Sequence, residues 1–175
     1  MKNVVVLGSS GSIGTQTMDV CAQHADKLNV VGLAVWSNSK LAKEQAEKFG
    51  VSADIVIVCK EIDSKIDASY DGKSAQLTES TKRIIDLIQQ DDVDIVVNAM
   101  SGAAGLQASV AALRSDKILA LANKESLVVA GDIIMPLAAE QARKHGSVRL
   151  LPIDSEHGAI FQCLVGEAHD EVTQL

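Results

Sequence analysis

Aromatic residues are scarce: one Trp, one Tyr and two Phe in 175 residues. The core must therefore be aliphatic, and at 47% hydrophobic the chain has enough Val, Ile, Leu and Ala to build one. No apolar run approaches the ~20 residues a helix needs to cross a bilayer. No basic run stands out against a net charge of −7, which argues against nucleic acid or an anionic membrane as partner. A phosphorylated small molecule, needing only a local positive site, stays open. Cysteine is also sparse. Cys21, Cys59 and Cys163 are odd in number and lack metal-ligand spacing, so buried, reduced thiols in a cytoplasmic protein are expected. Met1-Lys2-Asn3 leads straight into a strand, with no signal or transit segment in view.

What is present is an alternation. Predominantly apolar segments at 4–7, 29–35, 55–58, 94–98, 117–121 and 148–151 are expected strands, the last ending in Pro152. Helical spacing marks 13–21 and 41–49, a helix opening near Glu79, and an alanine-rich helix ending near Arg114. A further helix is expected to open at Asp132 or Pro136 and run to Lys144. Residues 60–76 are polar and mixed, giving only a helix fragment and a loop. Strands that are predominantly apolar, separated by helices, belong to a parallel sheet covered on both faces. The fold class is α/β: a Rossmann-like, doubly wound, mainly parallel sheet.

Gly8-Ser9-Ser10-Gly11-Ser12-Ile13-Gly14 lies between the first strand and the first helix. Gly8, Gly11 and Gly14 permit a tight turn and a close approach of backbone to pyrophosphate, and the helix start offers free N–H groups to phosphate. The acid that grips a ribose 2′-OH should stand near the end of the second strand. That place reads Trp36-Ser37-Asn38-Ser39-Lys40. Hydroxyls, an amide and a lysine, with Ser37 and Asn38 foremost, suit a 2′-phosphate, so NADPH is expected rather than NADH. The same residues can also cap the following helix.

Other chemistries fail on their own requirements. Gly72-Lys73-Ser74 ends like a kinase-type phosphate loop, but residue 67 is Asp and no strand precedes it. Tyr70 is followed four residues later by Ser74 rather than lysine, against short-chain dehydrogenase chemistry. No cysteine sits where a thiol nucleophile would.

Two segments remain. Ala122-Asn123-Lys124-Glu125-Ser126 follows directly on a strand, at the end where ligands bind in open α/β sheets. Asp154-Ser155-Glu156-His157 sets two carboxylates two residues apart, hard oxygen donors for one divalent ion but an incomplete set.

Together, Gly8–Gly14, Asn98–Gly105, Leu119–Ser126 and Asp154–Gln162 resemble 1-deoxy-D-xylulose 5-phosphate reductoisomerase of the non-mevalonate isoprenoid pathway. The resemblance implies an oxidoreductase and isomerase that rearranges a phosphorylated sugar and reduces it with NADPH, using Mg²⁺ or Mn²⁺, in a cytoplasmic homodimer. It implies that Ser10, Gly11, Ser12 and Ile13 hold the cofactor phosphates and that Asn123 and Glu125 meet the nicotinamide end. Lys124 would contact substrate. Asp154 and Glu156 would ligate the metal, with Ser155 and Glu156 also facing substrate. His157 would pack or support a ligand.

The chain departs from the family pattern at Ser10, where Thr is common, and at Gly158, where Ser is common. It also departs at Trp36-Ser37-Asn38, where Gly-Lys-Asn is frequent. The expected organisation is residues 1–151 as the cofactor domain and 152–175 as the opening of a truncated catalytic domain, inactive by itself. A free-standing NADP-binding sensor or regulatory module without catalysis is the alternative.

Overall fold

Val4, Val5, Val6 and Leu7 are each at most 2% exposed in the computed structural model, which describes residues 1–63, 77–101 and 104–167. A strand buried on both faces belongs at the centre of a covered sheet. Strand β1 (Lys2–Leu7) pairs in parallel with β2 (Leu28–Val35) on one side and β4 (Ile95–Asn98) on the other. Outside them lie β3 (Val56–Val58), and then β5 (Ile118–Leu121) and β6 (Leu150–Pro152). The six strands are all parallel, in the order β3-β2-β1-β4-β5-β6. The expected Rossmann-like class is therefore the observed one.

The pleat of β1 divides the core. Val5 and Leu7 face the cluster built with α4 (Glu79–Ile88), α5 (Ala104–Arg114) and α6 (Glu125–His145). Val4 and Val6 face α1 (Ser12–Gln23) and α2 (Ser39–Phe49) through Met18, Cys21 and Ala46. Beyond α1, an apolar groove of ≈ 310 Å³ lies over β4 to β6, lined by Ile95, Val97, Ala120 and Ile153 among others. Among the described residues, no helix is long and apolar enough to cross a membrane.

Most elements fall where expected, and the exceptions have local causes. A 3₁₀ turn (Ala53–Ile55) takes the first residue of the expected third strand. Helix α3 (Cys59–Asp63) is the helix fragment; residues 64–76, including Tyr70 and the Gly72-Lys73-Ser74 sequence, lie outside the described residues. The expected 132–144 helix is only the second half of α6. That helix starts at Glu125, because the Asn123 side chain accepts the Ser126 N–H at 2.9 Å. Its irregular backbone is at Ala130 (φ −141°, ψ 31°), and Pro136 is carried inside the segment that follows. Helix α7 (Ser155–Leu164) has no counterpart among the expected elements. Cys21 and Cys59 are buried as expected, whereas Cys163 is exposed; all three are free thiols.

Candidate cofactor cleft and carboxylate pair

The glycine turn is tight for reasons that can be measured. Gly8 has φ +81°, and a Cβ there would stand 2.5 Å from the Ala99 carbonyl oxygen. A Cβ on Gly14 would stand 2.1 Å from the Gly8 oxygen and 2.6 Å from the Ser9 Cα. Helix α1 thus rests directly on the turn. Gly11 is its N-cap, and no side chain caps it. The N–H groups of Ser12, Ile13 and Gly14 are therefore donors with no intrahelical partner at the positive end of the helix dipole. Beneath them, buried Ser9 donates its hydroxyl to Gln45 Oε1 at 2.7 Å, and Gln45 Nε2 donates to the Ser9 carbonyl at 2.9 Å. This pair ties the turn to α2.

The C-terminal ends of β1, β2, β3 and β4 enclose a cleft of ≈ 390 Å³. Its lining includes Gly8, Ser10, Gly11, Trp36, Cys59, Met100 and Ser101. It lies where the strand order reverses, between β1 and β4, which is where dinucleotides bind in sheets of this topology. Ser10 and Gly11 reach the cleft with their own atoms. Ile13 does not: its side chain lines the apolar groove over β4 to β6, leaving its backbone N–H as what it offers here. At the end of β2, the Asn38 side chain accepts the Leu41 N–H at 3.2 Å and caps α2. Ser37 is exposed, and its carbonyl accepts the Ser39 N–H at 2.9 Å.

Beside the cleft lies a buried polar knot. Asn98 closes β4, and its Nδ2 donates to the Gly105 carbonyl at 2.7 Å and to Ser109 Oγ at 2.9 Å. Its Oδ1 accepts the Met100 N–H at 3.3 Å. Asn123, 2% exposed, donates from Nδ2 to the Met100 carbonyl and receives both the N–H and the hydroxyl of Ser126 on Oδ1. The loop after β4 is thus clamped between two asparagines; Gly102 and Ala103 within it lie outside the described residues. Asn98, Ser109, Ser126, Ser9 and Gln45 were not singled out by their chemistry in the sequence. The available signal was polarity at positions where an apolar strand or helix face was due.

Parallel strands bring the ends of β5 and β6 to the same edge. Lys124, one residue before α6, and Glu156, in the first turn of α7, meet there with Lys124 Nζ 3.0 Å from Glu156 Oε1. Ser155 donates its hydroxyl to Glu156 Oε2 at 2.9 Å. Asp154 is the N-cap of α7, and its Oδ2 accepts the His157 N–H at 3.3 Å and lies 2.6 Å from His157 Nδ1. His157 is exposed, touches the Asp154 carboxylate and borders a small apolar pocket with Leu121, Leu127 and Met135. Glu125 is exposed in the first turn of α6. Asp154 and Glu156 supply two hard oxygen donors, and the described residues hold no group of three or more ligand-type side chains.

The Lys124 ammonium and the hydrogen bonds around it hold the Glu156 carboxyl down at about 2, from an ordinary value of 4.5. A depressed carboxyl contributes stability above its ordinary value and loses it as pH falls through the folded one. Carbon NMR of the glutamate carboxyls is therefore expected to show Glu156 titrating near 2, and Lys124→Met should move it up toward 4.5. An unchanged midpoint in that variant would remove Lys124 as the cause.

Comparison with known proteins decides which family this arrangement represents. Residues 4–131 match the family model described as 1-deoxy-D-xylulose 5-phosphate reductoisomerase. This chain belongs to that family. The reductoisomerase of Halalkalibacterium halodurans is 42% identical over 175 residues, all of this chain and 44% of the relative. A solved reductoisomerase from Zymomonas mobilis in complex with NADPH superposes with a TM-score of 0.73 at 33% identity, covering 97% of this chain and 42% of that one. A DOX-P reductoisomerase in complex with magnesium gives 0.73 at 34% identity, covering 93% and 40%. The chain thus spans less than half the length of the reductoisomerases it matches.

Proposed function

We propose that this chain is the NADPH-binding part of a reductoisomerase that converts 1-deoxy-D-xylulose 5-phosphate to 2-C-methyl-D-erythritol 4-phosphate. The observation that carries the reading is the glycine turn: Gly8, Ser10 and Gly11 line a cleft at the strand-order reversal, and the uncapped N–H groups of α1 begin at the very next residue. Two added Cβ atoms would collide with backbone there, as expected of a turn shaped for backbone to approach a phosphate closely. Relatives solved with NADPH and with magnesium support the choice of cofactors.

In this reading Gly8, Gly11 and Gly14 shape the turn, while Ser10, Ser12 and the N–H groups of Ser12, Ile13 and Gly14 bind the pyrophosphate. Ser37 and Asn38 lie at the ribose end. Asn123, its amide already engaged, positions the loop after β4 beneath the nicotinamide, and Glu125 borders that end. Asp154 and Glu156 hold the divalent cation, Mg²⁺ or Mn²⁺, with further ligands from outside the described residues. His157 orients Asp154 through Oδ2.

When bound, the reduced nicotinamide supplies hydride and the cation supplies Lewis acidity for the carbon shift. Glu156, paired with the Lys124 ammonium at 3.0 Å, would hold the cation together with Asp154, and Lys124 would hold an anionic substrate beside Ser155. Residues 1–151 are the cofactor domain in this account, and 152–175 open the catalytic one. We include in the same reading a homodimeric, cytoplasmic enzyme. Exposed Val128, Val129, Ile133 and Met135 on α6 are apolar surface available to another domain or subunit.

The test is a titration of the 175-residue chain with NADPH and NADH, followed by amide NMR. NADPH should bind the more tightly and shift the amides of Ser12, Ile13 and Gly14 most. No binding, or shifts centred away from the glycine turn, would refute the reading.

A further inference from the structure

We propose that Trp36 and Lys60 form the adenosine 2′-phosphate end of the cleft, the indole stacking on the adenine and the lysine meeting the phosphate. The inference rests on the NADPH reading above and assigns it a specificity determinant. The end of β2 carries no acid, and two of its candidates have other partners nearby. The Asn38 amide oxygen caps α2. Lys40 Nζ lies 3.9 Å from Glu44, one turn along the same helix.

A second lysine stands beside the place, two residues past the neighbouring strand's end at Val58. Strands β2 and β3 run in register with Val35 beside Val58, so their next residues, Trp36 and Cys59, both line the cleft. Immediately after, the Lys60 N–H donates to the Trp36 carbonyl at 2.8 Å, which fixes the start of α3 to the end of β2. Lys60 is exposed, and no ion pair among the described residues engages it.

Trp36 is the sole tryptophan of the chain, and 65% of it is exposed although it lines the cleft. Placing it at the mouth of the cleft leaves a flat aromatic face where a base can stack. A lysine beside it supplies the point charge a phosphate monoester takes.

Because Trp36 is the only tryptophan, its fluorescence reports the site directly. In the 175-residue chain, NADPH and the half-molecule 2′,5′-ADP should both quench it. Calorimetry should show Lys60→Gln weakening NADPH and 2′,5′-ADP by about tenfold, leaving NADH and 5′-AMP unchanged. Lys60→Arg should restore most of the loss. Trp36→Ala should weaken NADPH and NADH alike, since stacking on adenine ignores the 2′-phosphate.

Wild-type binding of NADPH with equal losses for both dinucleotides in Lys60→Gln, or with the selective loss in Lys40→Gln instead, would overturn the Lys60 assignment while leaving the cofactor reading intact. Binding without tryptophan quenching would overturn the Trp36 assignment alone. Failure of the wild-type chain to bind NADPH would remove both proposals.

Discussion

Gly14→Ala is expected to destabilise the fold by about 3–5 kcal/mol and to abolish measurable NADPH binding. The added methyl group would stand 2.1 Å from the Gly8 oxygen and 2.6 Å from the Ser9 Cα. Both obstacles are backbone, so no rotamer change relieves the overlap. Helix α1 must lift from the turn, and its free N–H groups leave the cleft with it. Gly131→Ala is the matched control: it adds the same methyl group to a helix, meets nothing within 4 Å and has no positive φ. It should shift stability by less than about 1 kcal/mol, in the favourable direction. Chemical denaturation followed by circular dichroism separates the two, and similar midpoints for both variants would show that Gly14 is not a contact-limited position.

The second large effect is expected at the carboxylate pair. In the whole protein, Asp154→Asn combined with Glu156→Gln should lower turnover of 1-deoxy-D-xylulose 5-phosphate by about a thousandfold, the several kcal/mol a Lewis-acid cation supplies. NADPH affinity should hardly change, because neither residue lines the glycine cleft. The substitutions are chosen to spare the fold. An asparagine at position 154 still offers an oxygen to the His157 N–H, so α7 keeps its cap. Glutamine at 156 keeps an acceptor for Ser155 while losing the charge that pairs with Lys124. Metal-dependent activity that survived both changes would rule out this pair as ligands.

The features legible in the sequence were those dictated by short-range chemistry. The run Val4–Leu7, short, apolar without alternation and followed at once by a glycine turn, reads as a strand covered on both sides, and both faces are covered. The glycines of the turn were legible because their spacing sits between a strand and a helix. What escaped notice depended on partners distant in sequence. Asn98 and Asn123 are 25 positions apart and clamp one loop only because β4 and β5 are neighbours. Ser9 finds Gln45 across 36 positions.

The capping of α7 by Asp154 was not expected, although Asp three residues before His157 is an ordinary capping arrangement. The start of α6 rests on the Asn123 side chain meeting Ser126, whereas Pro136, the residue that most resembles a helix start in the sequence, sits inside the helix. The position of Lys60 beside Trp36 follows from the register of β2 and β3, which no spacing along the chain encodes.

Turnover tests most directly whether this fold binds NADPH in order to reduce a rearranged sugar phosphate. The protein carrying this chain at the length of its relatives should be mixed with NADPH, Mg²⁺ or Mn²⁺ and 1-deoxy-D-xylulose 5-phosphate. Loss of reduced-nicotinamide absorbance should match formation of 2-C-methyl-D-erythritol 4-phosphate mole for mole and should stop when the cation is chelated. NADPH that binds at the glycine turn but is never oxidised in the presence of substrate and metal would contradict the account and favour a cofactor-sensing module.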